Sequence, residues 1–172
     1  MRPLRRNGGG SEAGNQRGAG ALVNYLVYVS QARKGLGTAD LEAILSKSRS
    51  YNPLHGISGM LLFAGGRDGR RGSFMQLLEG DRGAIETLRT TIFADPRHHT
   101  KIVIEQGEKP ERDFADWSMA FQSATAESLA GYPAFADLGS DHFYARCQAG
   151  EAHRSLEFLK DFWAAEPRDD AR

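Results

Sequence analysis

The sequence predicts an α+β fold: a ferredoxin-like βαββαβ core with an added fifth strand in a mixed sheet, two helices on one face and C-terminal helices on the other. Two observations carry this. The apolar segments run strand, helix, strand, strand, helix, strand, strand, and then helices. The segments expected at the sheet centre, 22–30 and 73–79, are apolar on both sides, so both faces must be covered. A chain of 172 residues suits one domain with its own core.

Each element has a local cause. Residues 1–20 are rich in Gly, Arg and polar groups with no apolar period, which predicts a disordered leader. LVNYLVYVS (22–30) is a β-rich apolar strand. After a glycine-bearing loop, Thr38 is the expected N-cap, with Asp40 and Glu42 in the first turn. Leu41, Ile44, Leu45 and Ser48 share a helix face, the helix ends near Ser50, and Pro53 closes it. ISGMLLF (57–63) and SFMQLLE (73–79) are strands flanking a glycine-rich hairpin loop, 64–72. Asp81 caps a second helix that turns Ile85, Leu88 and Ile92 inward and stops at Asp95-Pro96. TKIVIEQ (100–106) is the fourth strand, and a short fifth follows a loop within 112–121. A helix is expected around Phe143–Cys147, and an amphipathic one over 152–165. The expected organisation is leader 1–20, core 21–122, capping helices 123–165 and disordered tail 166–172. In the core, the first and third strands are expected side by side and parallel.

Side chains alternate along a strand. Asn24, Leu26, Tyr28 and Ser30 therefore share one face of the first strand, and Phe74, Gln76 and Leu78 one face of the third. If both faces look toward the two core helices, Tyr28 and Gln76 are hydrogen-bonding neighbours, with Asn52 at the helix end completing the group. Such a set suits gripping a flat heterocycle with carbonyl and N–H edges better than hydrolysis. A buried Tyr–Gln pair also has a plain structural reading, as a satisfied core contact.

These segments resemble the BLUF family, sensors of blue light that use FAD. The resemblance rests on LVYVS with Tyr28, DLEAILSKSRSYN with Asn52, GISGMLLF, FMQLLEG with Gln76, DPRH with Asp95, Arg97 and His98, and FADWSM with Trp117 and Met119, in family order over residues 22–121. It implies FAD between the two core helices, its ring directed at Tyr28, Gln76 and Asn52. By position Ser48, Leu61, Phe74, Thr91, Ile92 and Met119 would line the pocket, and Asp95, Arg97 and His98 would hold the cofactor's polar part. Arg97 also reads as a surface charge after a helix. The implied mechanism is a light-driven transfer of an electron and proton from Tyr28, relayed by Gln76. The amide is left rotated or tautomerised, which gives a small red shift that decays in the dark. Trp117 and Met119 are the implied signal relay; two apart in a regular strand, they would face the same way. The loop 64–72 is longer than usual in the family, Tyr51 stands where smaller or imidazole groups are common, and Thr91 replaces a longer basic side chain.

Charge and composition set the remaining expectations. Lys+Arg and Asp+Glu are both 22, so the balanced chain is no electrostatic trap for nucleic acid or membrane. No apolar run approaches the ~20 residues of a membrane span. The single cysteine, Cys147, fits a reducing compartment, so a cytoplasmic protein is expected. The five histidines show no metal-ligand spacing, and no phosphate loop or nucleophile motif occurs. The resulting expectation is a non-enzymatic receptor that signals by contact with a downstream protein or as a homo-oligomer. The contact surface would lie around Leu156–Trp163, unless that stripe merely caps the sheet. The alternatives are a flavin-dependent oxidoreductase on a ferredoxin-like fold and an interaction module without a cofactor.

Overall fold

The computed structural model describes residues 20–66 and 71–166. The strands are β1 (Val23–Ala32), β2 (Ser58–Ala64), β3 (Ser73–Gly80), β4 (His98–Lys109) and β5 (Ala120–Ala124). The helices are α1 (Thr38–Leu54), α2 (Arg82–Phe93), α3 (Ala126–Leu129), α4 (Asp141–Gln148) and α5 (Ser155–Ala165). One mixed sheet runs β4-β1-β3-β2-β5, with β5 parallel to β2. The expected leader and tail, apart from Gly20 and Glu166, and the tip of the 64–72 loop lie outside the described residues.

β1 and β3 are central neighbours, but they are antiparallel, not parallel as expected. The reason is topological. The α1 crossover returns β2 parallel to β1 with a gap between them. The β2–β3 hairpin then reverses the chain into that gap, so β3 opposes both neighbours. The register still sets Tyr28 directly opposite Gln76.

Element ends also depart from expectation. α1 starts after Gly37, whose N–H is bonded by the Asp40 carboxylate, so Thr38 is the first helical residue rather than the cap. The helix does not stop near Ser50. It carries Pro53 in its last turn, where the ring removes one bond and only one further residue remains to be bent away, and runs to Leu54. β5 begins at Ala120, later than the 112–121 segment suggested, and α5 begins at Ser155 rather than at residue 152. Asp81 caps α2 as expected, accepting from the N–H groups of Gly83 and Ala84.

The sheet separates two cores. Leu26, Tyr28, Leu61, Phe74 and Leu78 face α1 and α2 together with Ile85 and Leu88. Val27, Val29, Met60, Leu62, Met75 and Leu77 face the other way, against Phe143, Phe158, Leu159 and Phe162 of α4 and α5. Phe135 and Phe158 stack there with centroids 4.1 Å apart. The apolar stripe of α5 thus covers the protein's own sheet.

Two buried polar arrangements fix the edges. The fully buried Glu79 carboxylate accepts from Ser58 Oγ, the N–H groups of Asp113 and Phe114, and Lys109 Nζ. This satisfies a charge that would otherwise be very costly to bury, and it pins the β4–β5 connection to β3. On β4, Glu105 reaches under α5 and accepts from Ser155 Oγ at 2.6 Å and Leu156 N at 3.0 Å. It therefore serves as the cap that Arg154, in a left-handed conformation, does not supply.

Candidate functional site

A cavity opens between α1, α2 and the sheet. With its open mouth it takes in about 790 Å³. β1 contributes Tyr28, β2 Leu61, and β3 Phe74 and Gln76; α1 contributes Ser48 and Asn52, α2 Thr91 and Ile92, and the following turn and β4 Asp95, Arg97 and His98. Every residue of the expected site except Met119 and Trp117 lines it. Four lining residues were not foreseen: Ile44, Lys47, Tyr51 and Leu88. The 3.6-residue period of α1 could have found the first three, because they fall on the stripe that carries Ser48 and Asn52.

At the floor, Tyr28 Oη donates to Gln76 Oε1 at 2.5 Å, and Gln76 Nε2 donates to Met119 Sδ at 3.4 Å. The two partners orient the amide. A thioether sulfur only accepts, so the nitrogen belongs beside Met119 and the oxygen beside the phenol. Burial, and secondarily the Asp95 carboxylate, push the Tyr28 pKa well above the ordinary phenol value, so the donor proton is always present.

Asn52, only 1% exposed, donates from Nδ2 to the Ser118 carbonyl at 2.7 Å, while its Oδ1 is buried with no partner. An orphaned acceptor of this kind costs roughly 1–3 kcal/mol unless a ligand supplies a donor. The chemistry required is an N–H on a group that also meets the apolar walls of Ile44, Leu61, Phe74 and Leu88. The imide edge and flat rings of a flavin fit both demands.

The Asp95, Arg97 and His98 group is largely occupied by protein. Arg97 Nε and Nη2 bind the Asp95 carboxylate at 2.6–3.0 Å. Arg97 holds the Asp95 pKa down at about 2. His98 is bonded through Nδ1 to Ser30 Oγ and through Nε2 to the Ile92 carbonyl, both at 2.7 Å. It must donate from Nε2, because a carbonyl only accepts, and burial lowers its pKa, so the ring is the neutral Nε2–H form. His98 reaches this face through a bulge. Thr100, with φ 54°, is the extra residue where β4 advances three positions against two of β1. Without it, strict alternation would place His98 on the same face as Ile102, which packs with the cap.

Trp117 and Met119 face opposite ways, contrary to expectation. Met119 is buried with the cavity cluster. The Trp117 ring lies on the far side, edge-on to Trp163 of α5 at 5.2 Å. They precede β5, Trp117 ending a turn closed by its N–H to the Phe114 carbonyl and Met119 in the bend that follows, so the strand period does not govern them.

The family model described as "BLUF: Sensors of blue-light using FAD" matches residues 23–120. The chain belongs to the BLUF family. Among its curated relatives, photoactivated adenylate cyclase subunit beta of Euglena longa is 34% identical over 119 residues, covering 69% of this chain and 13% of that protein. The chain therefore spans about an eighth of that relative's length. Among solved structures, the dark state of the BLUF protein BlrB is 31% identical with a TM-score of 0.62, covering 84% of this chain and 96% of that one. The ground state of BlsA is 27% identical with a TM-score of 0.65, covering 86% and 91%. The BLUF match ends at Ala120, the first residue of β5, so it takes in the cavity and Met119 but none of α3, α4 or α5.

Proposed function

We propose that this BLUF chain is a blue-light receptor that binds FAD non-covalently between α1 and α2 and signals through the Tyr28–Gln76 hydrogen bond. The carrying observation is that bond at the cavity floor, beside the partnerless Asn52 Oδ1. Asn52 would accept from the flavin imide, while Ile44, Leu61, Phe74, Leu88 and Ile92 would enclose the rings. Bound there, the flavin supplies absorption of blue light and an excited state that draws an electron from a nearby donor.

The residues then act as follows. Tyr28 holds a proton at Oη and presents it to Gln76. Rotation of the Gln76 amide exchanges donor for acceptor and breaks the bond to Met119, whose sulfur cannot donate; tautomerisation instead moves one proton to Oε1 and leaves a single N–H on the nitrogen. The dark orientation is restored because it alone serves both partners. Met119 and Ser118 lie in the segment that α1 holds through Asn52 Nδ2 and Arg49 Nε, and Trp117 of the same segment touches Trp163. A change at Gln76 would thus reach α5, which we propose as the surface read by a downstream protein or a second copy of the chain. The protein is proposed to work in the cytoplasm; among the described residues no helix is long and apolar enough to cross a membrane.

A sensor reading is favoured over an oxidoreductase because the cavity imidazole has both nitrogens bonded to protein and is not free to act as a base. The test is absorption before and after blue light. The wild type should show flavin bands and a small red shift that reverses in the dark. Tyr28→Phe should keep the flavin and lose the shift; an intact photocycle in this variant would rule the mechanism out.

A further inference from the structure

Four basic side chains lie at or beside the cavity, and three are committed to protein groups. Arg97 is held by Asp95. Lys101 Nζ donates to the carbonyl oxygens of Phe93 and Asp95. Arg49 Nε donates to the Met119 carbonyl at 3.3 Å. Lys47 differs: it lines the cavity, yet among the described residues it has no hydrogen-bond or ion-pair partner. It lies on the same α1 stripe as Ile44, Ser48 and Tyr51. It is exposed as a whole while lining the wall, the disposition of a side chain whose stem covers apolar surface and whose ammonium stays in water.

The charge balance at the cavity follows. Asp95 is neutralised by Arg97, His98 is neutral, and Thr91 across on α2 carries no charge. Among the residues that line the cavity, Lys47 is therefore the one whose charge has no ion-pair partner, and it leaves the lining with one net positive charge. The buried floor, by contrast, offers only neutral hydrogen-bonding groups. A ligand complementary to both has an uncharged polar ring system inside and an anionic arm outside.

We propose that Lys47 is a specificity-determining residue of this site: its ammonium receives the phosphate of a flavin and so selects flavin phosphates over uncharged riboflavin. This rests on the flavin-binding reading given above. It also moves the charged contact from the Asp95–Arg97–His98 group, where the family resemblance set it, to α1.

The test uses the full chain purified with its flavin. The protein is incubated with an equimolar mixture of riboflavin, FMN and FAD and passed through gel filtration, and the retained flavins are released and quantified. Wild type should retain the phosphorylated flavins over riboflavin. Lys47→Gln should lower that preference about threefold to fivefold, the scale of a partly exposed ion pair, and Lys47→Arg should restore it. In 0.5 M salt the wild-type preference should shrink toward that of the Gln variant. FMN and FAD retained alike would assign the contact to the phosphate nearest the ribityl chain, and FAD alone to the diphosphate; both support the proposal. An unchanged preference in Lys47→Gln, or an equal loss of all three flavins, overturns it while the wild type's flavin retention still supports the flavin-binding reading. A wild-type protein that retains no flavin overturns both readings.

Discussion

Gln76 has few ways to be satisfied in an apolar strand, and the structure gives it two partners of opposite character. The phenol of Tyr28 offers a proton and the sulfur of Met119 takes one. The first contact was legible in the sequence, because two regular strands alternate and their pairing brings the same parity together. The second was not, because Met119 lies in the bend before β5, where no period applies. His98 shows the same limit: only the Thr100 bulge turns it toward the cavity. Its environment has a pH consequence. Burial, with Lys101 and Arg97 nearby, lowers its pKa below the ordinary 6.5, and the hydrogen bond to the Ile92 carbonyl and then Asp95 oppose this only in part. The unfolded chain therefore binds this proton more readily than the folded one. The stability associated with neutral His98 is present above about pH 6.5 and is lost as pH falls below it, at no more than about 1.4 kcal/mol per pH unit. Urea unfolding at pH 7.5 and pH 5.5 should show a drop that is smaller in His98→Gln. A remainder is expected from His99, which is shifted in the same direction.

At the scale of elements, the strands and both core helices were readable from apolar periodicity, while their ends and relative directions were less so. α1 overran its proline, since a ring in the last turn removes only one bond. The parallel pairing expected of β1 and β3 failed because strand content does not state direction; the hairpin and crossover do. Nothing in the local sequence announces that a carboxylate fifty residues earlier caps α5. That capping makes a specific claim about Glu105. Glu105→Ala removes acceptors for Ser155 Oγ and Leu156 N and should cost about 1–2 kcal/mol. Hydrogen exchange should quicken in α5 and leave α1 and α2 at wild-type rates. Equal protection of α5 in both proteins would mean that packing of Phe158, Leu159 and Phe162 alone seats the helix.

For the molecule as a whole, the two-faced sheet ties solubility to the C-terminal helices. Val27, Val29, Met60, Leu62, Met75 and Leu77 are all completely buried beneath them. A chain ending at Ala124 would expose this surface, far beyond the scattered apolar residues that soluble proteins tolerate. Light scattering should find the shortened protein self-associated or aggregated; a well-behaved monomer would contradict the packing described here.

Every lining residue of the cavity precedes Thr100 in the chain, and none comes from the helices behind the sheet. The receiving layer can therefore be exchanged without rebuilding the walls around a chromophore, provided the junction respects Met119 and falls after the last strand. A graft made there would inherit the optical behaviour of its donor and the output of its recipient, with the indole of Trp117 as the piece that must find a new neighbour.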